Sequence, residues 1–194
     1  MMEIPEFRIR EVEEDSLKEV FKVLQKPEKY YEEASFTFGE YCISRKGSFG
    51  YRCTLDGKIL WDFQGQGYLY TDICVLKNRA FFGTAGQGGY FYILDLQTGE
   101  PLAKIKTGGT ASIVTAGNCC YVLSSGKTAR LMCVSLADGS ILGETVLPGK
   151  SNAYSRLDLV DGKIHAITFL YKNRFLQQAV WNCIALTASD EDIV

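Results

Sequence analysis

The sequence predicts an all-β fold assembled from about four units of four strands each, and three observations carry that expectation. First, a segment of about forty residues repeats, a period that marks stacked supersecondary units. The clearest copies are Phe-Tyr-Ile-Leu-Asp-Leu-Gln-Thr-Gly-Glu at 91–100 and Leu-Met-Cys-Val-Ser-Leu-Ala-Asp-Gly-Ser at 131–140. A shortened copy covers 51–58 and a degenerate one, Trp-Asn-Cys-Ile-Ala-Leu-Thr, covers 181–187. Second, compact turns at Gly39-Glu40, Lys77-Asn78, Gly117-Asn118 and Asp161-Gly162 recur 38, 40 and 44 residues apart, independently of the first motif. Third, helical periodicity disappears after about residue 35, leaving short apolar runs between turn residues.

The elements follow in order. Phe7-Arg8-Ile9-Arg10 alternates like a short strand. Asp15 and Ser16 then precede Leu17, Val20, Phe21 and Leu24, which predicts a capped amphipathic helix stopped by Pro27. Residues 1–34 are expected to pack as strand and helix on the repeats of 35–194, whose units fall near 35–66, 67–108, 109–150 and 151–187. Each unit reads as strands A to D in a meander. The A–B turns are those named above, and the C–D turns fall at Asp56-Gly57, Gln97-Thr98-Gly99 and Ala137-Asp138-Gly139. The B–C connections are Arg45-Lys46-Gly47, Gly86-Gln87-Gly88-Gly89, Ser125-Gly126-Lys127 and a longer stretch near 170–178. The last unit lacks a D strand, because 187–192 is polar. An open edge is a liability, and Phe7 to Val12 is the strand expected to cover it.

Composition narrows the function classes. A chain of 194 residues suffices for one well-buried domain. The formal charge is −2, and no basic run occurs, which argues against nucleic acid and anionic membranes. Residues 1–33 hold ten acidic and six basic side chains, so this region is acidic and the remainder slightly basic. The apolar runs are strand-length and the first residues lack a signal's basic head and apolar core, so a cytoplasmic protein with no membrane partner is expected. Seven cysteines, with no Cys-x-x-Cys, read as reduced thiols packed as small hydrophobes.

The segments 89–105 and 50–63 resemble the quinoprotein-like (PQQ-type) β-propeller repeat. Tyr92, Leu94, Asp95, Thr98, Gly99 and Leu102 match it in the second unit, and Asp56, Gly57, Lys58, Leu60 and Trp61 in the first. The resemblance implies a small β-propeller in which Ile93, Cys133 and Cys183 fill the space between neighbouring sheets and Trp61 packs one unit on the next. It carries little chemistry: quinone dehydrogenases of the family have about eight units and calcium ligands, and no acidic cluster suited to a metal is seen here. Neither a cofactor nor a metal is expected.

Candidate catalytic groups are few. Cys119-Cys120 alternates across a strand, one thiol on each face, as two packing residues would. His165, in Lys-Ile-His-Ala-Ile-Thr, is the only histidine, so any His-dependent triad or zinc site would have to use it, and no Gly-x-Ser-x-Gly accompanies it. Gly83 to Gly89 lacks the Gly-Lys-Ser/Thr ending and a following helix, so it is a turn and not a phosphate loop. No catalytic residue is assigned.

One face stands out. The D–A and B–C connections of a propeller share one end of the sheets, and here they carry Tyr68, Tyr70, Gln87, Lys127, Tyr154, Tyr171, Lys172, Arg174 and Phe175, with Gln66, Lys150 and Asn152 beside them. Tyrosine and arginine supply recognition area at low entropy cost. The expected function is therefore a non-enzymatic binding or scaffold module that holds a protein partner on this face, of immunity or inhibitor type. The alternative is a small-molecule or carbohydrate site, with sugar stacking on Tyr68 and Tyr154. The third reading is a degenerate enzyme using His165.

Overall fold

The computed structural model describes residues 8–11, 33–69, 71, 73–85, 88–152, 155–172 and 175–185, with the backbone alone at 8–11, 172, 175–179, 181, 183 and 185. No helix occurs among the described residues, and the helix expected over 16–24 lies outside them. The chain divides into two compact units, 28–110 and 111–194 with 1–27.

The unit 28–110 holds two four-stranded antiparallel sheets. The first is β2 (Ala34–Phe38), β3 (Tyr41–Lys46), β4 (Phe49–Thr54) and β5 (Ile59–Gln64); the second is β6 (Cys74–Leu76), β7 (Arg79–Gly83), β8 (Tyr90–Asp95) and β9 (Pro101–Lys106), each in sequence order. The A–B turns lie where the sequence puts them. Lys77 and Asn78 both adopt positive φ, 48° and 59°, as a tight hairpin turn demands. Between the sheets, Ile43, Trp61 and Phe63 meet Leu69, Phe82, Tyr92 and Leu94 in one buried cluster. The Phe63 ring lies edge-on to Tyr92 at 4.9 Å. Trp61 Nε1 donates to the Leu96 carbonyl at 2.8 Å, which ties the first sheet to the C–D turn of the second.

The other unit repeats the pattern. Its first sheet is β10 (Thr110–Ala116), β11 (Cys119–Ser124), β12 (Ala129–Ser135) and β13 (Ile141–Leu147). Its second contains β14 (Leu157–Val160), β15 (Lys163–Lys172) and β16 (Phe175–Ala185), and the fourth strand comes from β1 (Arg8–Glu11), in the order β1-β16-β15-β14. Ile9 stands opposite Ile184 and Arg10 opposite Cys183, so the early strand occupies the edge for which the sequence reserved it. Tyr121, Leu123, Leu131, Cys133 and Leu147 pack with Leu157, Ile164, Ala166 and Ile184. Each fully buried aliphatic chain of this kind contributes about 1.5–3 kcal/mol.

Two details mark the units as copies. The C–D ladders carry a register shift at Arg52/Cys53, Ile93/Leu94 and Cys133/Val134, the same position in three repeats. The C–D turns are held by carboxylates: Asp95 accepts from the backbone N–H groups of Gln97 (2.8 Å) and Thr98 (2.9 Å), and Asp138 from that of Ser140 (3.0 Å). Those N–H groups, Thr98 foremost, hold the Asp95 carboxyl below its ordinary range. Ser140 does the same for Asp138.

One expectation is corrected. The long B–C connection near 170–178 is a hairpin instead, because β15 runs to Lys172 and Lys172 pairs with Phe175. The ladder continues past the point where a loop was expected, with a bulge at Leu170/Tyr171.

Candidate functional site

The D–A and B–C connections of each unit lie at one end of its sheets and are laced together by main-chain hydrogen bonds. In the unit 28–110, the Gly47 and Ser48 carbonyls accept from Leu69 and Gly65 at 2.8 Å each, and Ala85 N donates to the Tyr68 carbonyl at 2.8 Å. Leu69 also bridges to Thr84. Gly89 is required here by close approach: a Cβ would sit 2.6 Å from the Thr84 carbonyl oxygen and 2.7 Å from Gly109 Cα. At Gly83 a Cβ would meet the side chains of Thr110 (2.6 Å) and Thr71 (2.7 Å), whereas Gly88 takes a φ of 80° in open space.

Side chains then project from this fixed backbone. Tyr68 is 50% exposed. Gln66 donates its N–H to Tyr92 Oη at 3.0 Å and accepts from Lys104 Nζ at 2.9 Å. That ammonium also lies 4.3 Å from the Tyr90 ring centroid. A cation seated on an aromatic face while bonded to an amide is held in one place.

The unit 111–194 has the same construction. Gly126 and Ser151 exchange backbone bonds, and Lys150 pairs with Phe169, donor to acceptor, at 2.8 Å in both directions. The Ser151 hydroxyl donates to the Ser124 carbonyl. Tyr171 is half-buried against Ile167 and Phe169; its Oη accepts from Asn152 Nδ2 at 2.8 Å, and Lys150 Nζ lies 5.5 Å from its ring centroid. Lys127 is exposed. Of the residues predicted for this face, Tyr68, Lys127 and Tyr171 are therefore placed on it with their side chains. Lys172 and Phe175 are placed by backbone at the tip of the β15–β16 hairpin, and Tyr70, Gln87, Tyr154 and Arg174 lie outside the described residues.

Sequence reasoning missed Tyr90, Tyr92 and Lys104. They sit on strands and not in connections, and only the register, with Tyr90 opposite Lys106 and Tyr92 opposite Lys104, reveals them as a group.

The catalytic candidates stay dispersed. His165 faces Asp158 on one side and Cys183 on the other. Burial pushes its pKa down, against the opposing pull of Asp158. Cys119 packs at the edge of the buried cluster while Cys120 is buried, with opposite faces of β11 separating them. Among the described residues no three His, Cys, Asp or Glu side chains group as metal ligands, and no helix is long and apolar enough to cross a membrane.

No protein-family model and no curated protein matches the sequence. Solved structures do. BamB from Moraxella catarrhalis aligns with a TM-score of 0.59 at 14% identity over 78% of this chain and 42% of its own. The computationally designed Ika4 protein aligns at 0.57 and 14% over 76% and 88%. A europium-containing methanol dehydrogenase aligns at 0.51 and 14% over 68% and 34%. The chain thus spans less than half the length of BamB. BamB and the dehydrogenase are propellers of the PQQ type, and at such identities the likeness speaks for the fold. The chain is a small all-β propeller of four-stranded repeats, similar in fold to PQQ-type propellers.

Proposed function

We propose that this chain is a non-enzymatic binding module that holds a protein partner on the connection face of its repeats. The observation that carries the reading is the contrast on that face between a hydrogen-bonded backbone and projecting Tyr, Lys and amide groups, seen separately in both units. A rigid frame lowers the ordering cost of association. Tyr68 and Tyr171 supply aromatic anchors of the kind on which interface energy concentrates. The likeness to BamB adds a propeller scaffold that can present such a face. An inhibitor or immunity role is the specific form we favour, since polar, aromatic connections on a hydrogen-bonded frame suit stoichiometric capping of another protein.

The test is affinity capture by the tagged chain from its native lysate, followed by mass spectrometry. A single stoichiometric partner is expected, and Arg174→Glu or Phe175→Ala should abolish its capture. Recovery of the bait alone, or capture indifferent to these substitutions, overturns the reading. A metabolite thermal-shift screen, where ligand at a hundredfold excess over its Kd stabilises by about 2.7 kcal/mol, would then address a small-molecule site.

A further inference from the structure

The cysteines are not equivalent. Cys42 on β3 and Cys53 on β4 are direct register partners, so both side chains leave the same face of the sheet opposite each other. Paired residues in an antiparallel ladder hold their Cα atoms about 4.5–5.5 Å apart, within the roughly 4.4–6.8 Å that a disulfide spans. Both are free thiols and half-buried. Cys42 Sγ reaches the Thr54 carbonyl at 3.9 Å. The register places other groups opposite the remaining described cysteines: Phe81 opposite Cys74, Ser135 opposite Cys119, Val134 opposite Cys120, Tyr121 opposite Cys133 and His165 opposite Cys183. Across the ladder the pair is flanked by Thr37 and Ile59. Burial first, then the Cys42 thiol and Glu33, push the Cys53 thiol up, so the reacting thiolate is a minor form and the oxidation should quicken as pH rises.

We propose that Cys42 and Cys53 form a dithiol site that peroxides oxidise reversibly to an intrachain disulfide. One sulfur, as thiolate, attacks a peroxide oxygen and breaks the O–O bond; a sulfenic acid forms and the released hydroxide takes up a proton to leave as water. The second sulfur displaces the sulfenic oxygen, which leaves as a second water with the remaining proton. Two thiols and one hydrogen peroxide give one disulfide and two waters, and the two electrons lost by sulfur reduce the O–O bond. Half-burial admits a small oxidant, and the ladder presents the resolving thiol without backbone movement. Sequence reading treated all seven cysteines as packing residues because opposition across a ladder is invisible until the register is known.

Peptide mapping tests this directly. Arg45, Lys46 and Arg52 lie between the two cysteines, so trypsin releases them on separate peptides that only a disulfide can join. Reduced, folded protein is treated with graded hydrogen peroxide, alkylated and digested without reductant. The Cys42–Cys53 linked pair should dominate the cross-links and vanish on adding a thiol reductant. Cys42→Ser should abolish it and Cys74→Ser should leave it intact. Overoxidation of Cys53 to the sulfinic acid without a linked pair would overturn the proposal, as would cross-links scattered over the other cysteines or a link formed only in urea. The wild-type map decides by itself should Cys42→Ser fail to fold.

Discussion

Single positions show how tightly one sheet is keyed to the next within 28–110. Gly99 has a φ of 76°, and a Cβ there would lie 2.8 Å from the Trp61 ring. Gly99→Ala thus meets two penalties, left-handed backbone strain and a clash with a buried indole, and should destabilise by about 1–3 kcal/mol in urea denaturation. In a Trp61→Ala background the ring is gone, so the Gly99→Ala cost should shrink to the backbone part. Equal costs in both backgrounds would show that the indole does not couple to the turn. His165 sets a second residue-scale expectation. Its folded pKa lies below the ordinary value near 6.5, chiefly through burial. The folded state therefore favours the neutral ring: the contribution is complete above about pH 6.5 and is lost as pH falls through the depressed folded value. Melting temperature should decline over that window, and His165→Gln should remove that part of the decline. The lowered carboxyls of Asp95 and Asp138 act only at more acid pH, so the two effects separate.

At the scale of elements, β1 is the piece most open to test. It is an edge strand, and along such a strand alternate N–H groups face its neighbour or turn away. Proline placed in turn at Ile9 and Arg10 must remove a ladder donor in one of the two cases. One variant should lose several degrees of melting temperature; if both melt as the unsubstituted chain does, the strand contributes nothing to the sheet. The strand was legible from its alternation and from the missing fourth strand of the last repeat. Turn residues were equally legible, because Asn78, Gly99 and Gly117 adopt a φ that side chains restrict, 59°, 76° and 56°. The β15–β16 hairpin was misjudged as a loop, since strand pairing there depends on a partner segment whose register no local pattern encodes. The same limit hid the Tyr90–Tyr92–Lys104 group and the opposed thiols: each is a relation between strands, while the sequence shows only positions along one.

For the molecule as a whole, the connection face and the cores are energetically separable. The core cluster of each unit is apolar and buried, whereas Tyr68 and Lys127 are exposed, and exposed substitutions away from such clusters usually change stability by less than about 0.5 kcal/mol. Tyr68→Ala and Lys127→Ala should therefore melt where the unsubstituted chain does. The likeness to BamB and to a designed protein at 14% identity has the same root. Four strands and their turns tolerate many side chains that keep alternation and turn chemistry, so one fold accommodates sequences sharing 14% of their residues. The pairing of Ile9 with Ile184 has a consequence for how the protein is made. β1 has its place beside β16, so the fourth sheet cannot be completed until β16 has been synthesised. Every earlier sheet is contiguous in sequence and free to fold as it emerges; this one closes a loop spanning nearly the whole chain, the slowest kind of contact to form. A product terminated before β16 would carry three finished sheets and an unpaired strand, leaving it recognisable to a protease as incomplete.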